Sequence, residues 1–265
     1  MSKIEEDIFN KGSTTYYWSS KFFPKNVRED VFKLYSFVRV VDDYVDVVPS
    51  NVKEFKSVKN IYLKSIDSDN FEVIVSKNDD INTRVVKNII YVSRKYNFEK
   101  SWVMAFLDSM EMDLNQRKYK KLDEVLEYIY GSAEVIGLMM AKIMALPEKS
   151  LRYAQMQGRA MQWINFLRDI NEDIELGRVY IPEEDLMKFG FAVLDKKSII
   201  SDQAAFCDLV KYELERYETW QKEAYDGYVY IPKRLRLPLQ TATDMYNWTA
   251  KKNRTRPDDC HESQN

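Results

Sequence analysis

The chain has 265 residues, 45% hydrophobic and 31% charged, with Lys+Arg 40 against Asp+Glu 42 and a formal net charge of −2. That balance excludes a disordered chain and a global basic field for nucleic acid. Cys207, Cys260 and the lone His261 exclude a disulfide framework and a Cys/His zinc set, so any bound metal must take oxygen ligands.

In chain order, MSKIEEDIFNKG lacks the apolar core of a signal peptide, and no stretch reaches the ~20 apolar residues of a spanning helix; a cytoplasmic location is expected. Apolar residues recur at three- and four-residue spacing over 27–48, 81–96, 100–115, 122–146, 148–176 and 204–225, which predicts helices. Pro24, Pro147, Pro182 and Pro238 are placed at or near the ends of these segments. Residues 67–82 read as a connection, FEVIV being too short and isolated for a sheet. NRTRPDDCHESQN has no apolar periodicity. With only 7 Gly and 7 Pro and no linker, the expectation is one all-α helical bundle over 1–250 and a disordered tail over 251–265.

Two segments set carboxylates into apolar helices. In FKLYSFVRVVDDYVDVV (32–48), Asp42 and Asp46 share a helical face that Tyr35 and Arg39 extend backwards. An ordinary Arg39–Asp43 pair, worth ~0.3–0.5 kcal/mol when exposed, would also account for that segment alone. In QWINFLRDINEDIELGRVYIP (162–182), Gln162, Asn165, Asp169 and Asp173 recur at steps of three or four. Facing each other, these stripes form an anionic box. Burying isolated anions costs several kcal/mol, and the obvious protein cations are Arg39, Arg168 and Arg178. Mg²⁺ (with Mn²⁺ as the alternative) suits such a box, since it takes carboxylate and phosphate oxygens together. A Gly-rich phosphate loop is absent, as is a histidine outside the tail for nucleophilic pairs. What remains is electrophilic chemistry, in which a diphosphate leaves and an apolar, aromatic pocket shelters a carbocation.

These segments, with GSTTYYWSSKFFP before them and DSMEMDLNQRKY and LEYIYGSAEVIGLMM between them, resemble the squalene and phytoene synthase family, the head-to-head prenyl transferases, over roughly residues 8–250. The resemblance implies a class I isoprenoid synthase fold, an all-α bundle around a central cavity. It also implies joining two allylic diphosphates through a cyclopropyl intermediate. Carried onto matching positions, Asp42, Asp46, Asp169 and Asp173 would hold Mg²⁺, with Asp43 secondary. Arg39, Gln162, Asn165, Arg168, Arg178 and Tyr246 would serve diphosphate or metal ligands, and Ser13, Thr15 and Tyr16 a phosphate subsite. Tyr35 and Tyr130 would flank the reacting carbons, Tyr130 assisting ionisation or proton removal.

Glu134 departs from the family's V-A-G-T-V-G pattern and reads as a surface acid, with tuning of the cavity as the alternative. The closing NRTRPDDCHESQN replaces an apolar, basic family segment, which implies a looser cavity. The resemblance to phytoene synthases points to geranylgeranyl diphosphate, with squalene or dehydrosqualene synthesis from farnesyl diphosphate as the rival. A terpene cyclase and a non-catalytic interaction protein on the same fold stand further off. The lipid substrates also imply contact with membrane surfaces, although no helix stands out for it.

Overall fold

A computed structural model describes Ile8 and residues 20–68, 70–115 and 118–255, the last five as backbone only. Residues 256–265, most of the expected tail, lie outside the described part.

The periodic segments become helices α1 (Lys25–Asp46), α2 (Val52–Ser65), α3 (Ile81–Tyr96), α4 (Lys100–Asn115) and α5 (Leu122–Ile129), then α6 (Val135–Ile143), α7 (Leu151–Arg168) and α8 (Ile170–Glu175). They are followed by α9 (Glu183–Lys188), α10 (Lys196–Ser201), α11 (Gln203–Asp226) and α12 (Lys233–Thr255). Among the described residues there is no strand, only an isolated bridge between Lys118 and Val179. Local chemistry sets the ends. Asp80 caps α3 by accepting from the Thr83 amide at 2.9 Å, and Asn97 closes it in the left-handed region at φ 51°. Pro24 and Pro182 stand at N-caps, whereas Pro238, expected near a helix end, lies inside α12. That helix also runs through Thr255, so the helix claims five residues of the expected tail. The connection over residues 70–80 carries no helix or strand. Arg84 and Lys87 of α3 strap it down by donating to the Ser76 and Ile74 carbonyls.

Two junctions matter for function. A π-turn at Tyr130–Glu134 joins α5 to α6 in one continuous rod, a device that rotates the face of a helix. The helix breaks at Asp169 (φ −101°, ψ 15°) between α7 and α8. The rod and α7 approach at backbone distance: a Cβ on Gly137 would stand 2.2 Å from the Ala154 carbonyl oxygen, and one on Gly158 2.5 Å from that of Ala133.

The interior forms two apolar clusters. One gathers Phe32, Phe37, Phe55, Ile89, Phe106 and Met139 from α1–α4 and α6. The other gathers Tyr128, Trp163, Phe166, Tyr180, Leu209 and Tyr217 from α5 onward. Beside the second cluster lies a buried acid. Glu213 is fully buried and accepts from Arg216, which also donates to Asp185 at 2.9 Å. Burial, opposed by Arg216 and reinforced by Asp185, pushes the Glu213 carboxyl from 4.5 to about 8. A carboxyl whose pKa is raised by folding stabilises the fold while protonated, so this contribution is present below pH 4.5 and lost as pH rises through about 8. Thermal unfolding at a series of pH values is expected to show Tm falling across that window, and Glu213→Gln is expected to flatten the fall.

Candidate functional site

Two adjoining chambers open between α1, the α5–α6 rod, α7 and α12. The apolar one, about 300 Å³, is lined by side chains including Phe23, Leu34, Ile136, Met140, Tyr153 and Leu239. The polar one, about 550 Å³, adds Arg39, Asp42, Tyr128 and Arg168. Tyr35, Val38, Ser132, Gln162, Asn165 and Tyr246 line both. Of the residues singled out in the sequence, Tyr35, Arg39, Asp42, Gln162, Asn165, Arg168 and Tyr246 thus converge on one cavity.

Each acidic stripe meets a guanidinium. Arg39 donates to Asp42 at 3.2 Å and pairs with Asp43 at 2.6 Å, so the simple Arg39–Asp43 pair exists and the same guanidinium also reaches Asp42. Arg168 forks onto both oxygens of Asp169 at 2.6 Å. Arg178 is buried. It donates to Asp46 Oδ1 at 2.7 Å and to the Val45 carbonyl at 2.9 Å, while its own amide donates to the Asp173 carbonyl at 2.7 Å. This one residue ties the end of α1 to the loop after α8.

Asp46, Asp169, Asp173 and Arg178 continue the two stripes without lining either chamber. The carboxyls still act on one another. Burial, then the Asp46 charge, raises Asp42. Burial and Asp169, with smaller contributions from Asp46 and Asp113 and opposition from Arg178, carry Asp173 to about 7. Burial likewise raises the Tyr35 hydroxyl.

Among the described residues, no three Asp, Glu, Cys or His side chains stand together as a metal site. The donors nearest the chambers are nonetheless all oxygens. Asn165 Oδ1, buried in the wall common to both chambers, has no hydrogen-bond partner.

Two expectations change, and one residue is added. Tyr130 lines neither chamber; it packs against the first apolar cluster, its hydroxyl raised by burial and by Glu99 and Glu134. Two residues turn a helix by about 200°, and it is Tyr128 that lines the polar chamber. Glu134 is no surface acid. It is 1% exposed and pairs with Arg159 Nε at 2.6 Å, while Arg159 stands 5.3 Å from the Trp220 ring centroid. Burial raises this carboxyl, opposed by Arg159. Asp113, from the quoted DSMEMD, went unremarked although it accepts from the hydroxyls of both Tyr128 and Tyr180. Its signal was an aspartate inside an apolar helix, the same signal that marked Asp42. Ser13, Thr15 and Tyr16 lie outside the described residues.

A family model described as squalene/phytoene synthase matches residues 9–265, past the expected end of the resemblance. The 15-cis-phytoene synthase of Paracoccus sp. (strain N81106 / MBIC 01143) is 29% identical over 71% of this chain; the match spans 62% of that protein's length. That of Enterobacter agglomerans is 27% identical over 89% of this chain and 80% of its own length. The presqualene diphosphate synthase of Sinorhizobium fredii (strain NBRC 101917 / NGR234) is 28% identical over 72% and 66%. Among solved structures, squalene synthase HpnC from Alicyclobacillus acidocaldarius superposes with a TM-score of 0.78 at 17% identity, covering 96% of this chain and 93% of that one. A dehydrosqualene synthase gives 0.79 at 23%, covering 95% and 87%. These likenesses establish the all-α isoprenoid synthase fold.

Arg178→Ala is expected to lower stability by about 1–3 kcal/mol, because it leaves Asp46 without its guanidinium and the Val45 carbonyl with only the Ser50 hydroxyl at 3.1 Å; Asp46 is half exposed, which limits the loss. Denaturant titration measures it. Arg178→Lys is expected to recover only part, since an ammonium lacks the fork that spans both acceptors.

Proposed function

This chain belongs to the squalene/phytoene synthase family of head-to-head prenyl transferases, and we propose that it condenses two geranylgeranyl diphosphates through a cyclopropyl diphosphate intermediate, releasing both diphosphates. The observation that carries this reading is the pair of adjoining chambers, one apolar enough for prenyl chains and one carrying Arg39, Arg168 and Asp42 for a charged head. The relatives named as phytoene synthases support the longer substrate. A second reading, farnesyl diphosphate as substrate, is favoured by relatives named presqualene diphosphate synthase and 4,4'-diapophytoene synthase, the latter 25% identical.

The residues suit Mg²⁺. All candidate donors are hard oxygens, Asn165 Oδ1 has no partner, and burial together with neighbouring carboxylates lifts Asp42 and Asp173, a penalty on their charged forms that a cation relieves. Asp42, Asp46, Asn165, Asp169 and Asp173 would hold the ions, sharing them with diphosphate oxygens because no three carboxyls converge. Bound there, Mg²⁺ would neutralise charge on the leaving diphosphate.

The chain's own groups do the rest. Arg39 and Arg168 offer guanidinium forks to phosphate oxygens, and Gln162 and Tyr246 face the head group from the wall common to both chambers. Tyr35 and Tyr128 set ring faces beside the carbons that become cationic. Val38, Leu34 and Ile136 keep water from them.

Membrane contact belongs to the same reading. No helix of the described residues is long and apolar enough to cross a bilayer, but α12 walls both chambers and exposes Leu237 together with Met245 and Trp248, the last two at the polar chamber. The basic residues Lys233 and Arg234 precede that face, and Lys251, Lys252 and Arg254 follow it in sequence, a pattern suited to lying on an anionic bilayer.

Supplying farnesyl and geranylgeranyl diphosphate separately and identifying products by chromatography is expected to give a C40 hydrocarbon from the second; a product from farnesyl diphosphate alone moves the assignment to the rival. Asp42→Asn and Asp169→Asn are expected to cut diphosphate release by roughly 100-fold or more. Absence of release from every prenyl diphosphate tried refutes the enzymatic reading. Flotation with phosphatidylserine vesicles is expected to carry the protein upward, and Trp248→Ala together with Leu237→Ala to weaken this; no flotation with substrate present retires the surface.

A further inference from the structure

Asp113 sits in α4, 2% exposed, among apolar side chains. Its Oδ2 accepts from the Tyr128 hydroxyl at 2.7 Å and its Oδ1 from the Tyr180 hydroxyl at 2.8 Å. A carboxylate is acceptor-only and a phenol has one proton, so both tyrosine protons are committed to Asp113. The rings are held as well. Tyr128 and Tyr180 have centroids 5.2 Å apart, and Tyr180 stacks on Phe166 at 4.2 Å with planes 5° apart. Tyr180 lines neither chamber, whereas Tyr128 lines the polar one, beside Phe106 and Met110 from the same helix as Asp113.

We infer that Asp113 is a positioning residue for the reaction: it draws the Tyr128 proton toward α4, so that Tyr128 meets the substrate with its ring and oxygen lone pairs and not as a hydrogen-bond donor. The inference rests on the reading of the chamber as a prenyl diphosphate site. A hydroxyl donating into the chamber would present its positive end to a carbocation. One donating to Asp113 presents its oxygen lone pairs and the electron-rich face of the ring, made richer by the carboxylate behind it. The Ser109 hydroxyl steadies the same turn of helix by donating to the Tyr128 carbonyl at 3.0 Å. Burial raises Asp113 to about 6, held from going higher by the two hydroxyls and by Arg178, so above that pH the carboxylate form prevails.

The test is a double-mutant cycle. Asp113→Asn keeps the shape but brings an N–H to one of the two phenols, which must then turn its proton outward. With whichever prenyl diphosphate turns over, D113N is expected to lower kcat about 10- to 100-fold with KM changed by less than about threefold. Tyr128→Phe is expected to fall similarly, and the double variant no lower than the worse single by more than about threefold, because the two act as one unit. Tyr180→Phe is expected to lower Tm yet leave kcat within about threefold of the original.

Losses in D113N and Y128F that multiply overturn the proposal, as does D113N with unaltered kcat. A readout free of turnover guards against a misread substrate or a variant that fails to fold. With ¹³Cζ-labelled tyrosine, the Tyr128 resonance, identified by its loss in Y128F, is expected to show no ionisation up to about pH 11. Titration near pH 10, as for free tyrosine, overturns the Asp113 contact itself. If that resonance behaves as expected while no prenyl diphosphate is consumed, the substrate reading fails and with it the catalytic part of this inference.

Discussion

The site depends on one buried guanidinium. Arg178 reaches across 132 positions of sequence to Asp46 and to the Val45 carbonyl, while its own amide fixes the Asp173 carbonyl. Without that cation the ends of two acidic stripes would lack a common counter-charge, and the Asp46 charge already contributes to raising Asp173. With it, α1 and the α8 loop are held in register. Asp42 can then stand at the chamber while Asp46 and Asp173 stand one turn on. Burial first, and neighbouring carboxylates second, raise the Asp42 and Asp173 carboxyls.

Polarity is graded along the cavity. At one end Arg39, Asp42 and Arg168 make a wall for an anion; at the other, aliphatic and aromatic side chains leave almost nothing to hydrogen-bond. The six residues common to both chambers mark the boundary, which is where a bond between a charged head and a hydrocarbon would lie. Backbone approach makes that boundary possible. Because Gly137 and Gly158 lack side chains, the α5–α6 rod and α7 come close enough for Ser132 and Asn165 to share one wall. Behind it the buried Glu134–Arg159 pair pins the π-turn to α7, with Arg159 against Trp220. Removing one member of such a pair leaves an unmatched charge in the interior, so the pair enforces one arrangement of the rod.

Much of this was legible beforehand, and for identifiable reasons. Polar residues at i, i+3 on an apolar helix lie on one face whatever surrounds them, so Arg39 with Asp42, and Gln162 with Asn165, could be placed from spacing alone. Scarcity of glycine and proline, with three-and-four periodicity, was enough for an all-α bundle. Tyr130 went astray because YIYG offers two tyrosines and the π-turn that follows hides which face is inward. Glu134 was misread because its partner lies 25 positions away, and a carboxylate is taken as exposed until its cation is found. Asp113 is not legible in the sequence because its role depends on two distant hydroxyls, Tyr128 from α5 and Tyr180 from the connection between α8 and α9.

The sequence by itself determined the helical class, the two acidic stripes and the family, since each rests on local periodicity or on motifs in order along the chain. Only the tertiary structure decided which tyrosine enters the chamber, which acids are buried in ion pairs, and that α12 walls both chambers. The reason is physical: a helical repeat states which residues share a face, but burial, dielectric and hydrogen-bond partners belong to whatever packs against that face.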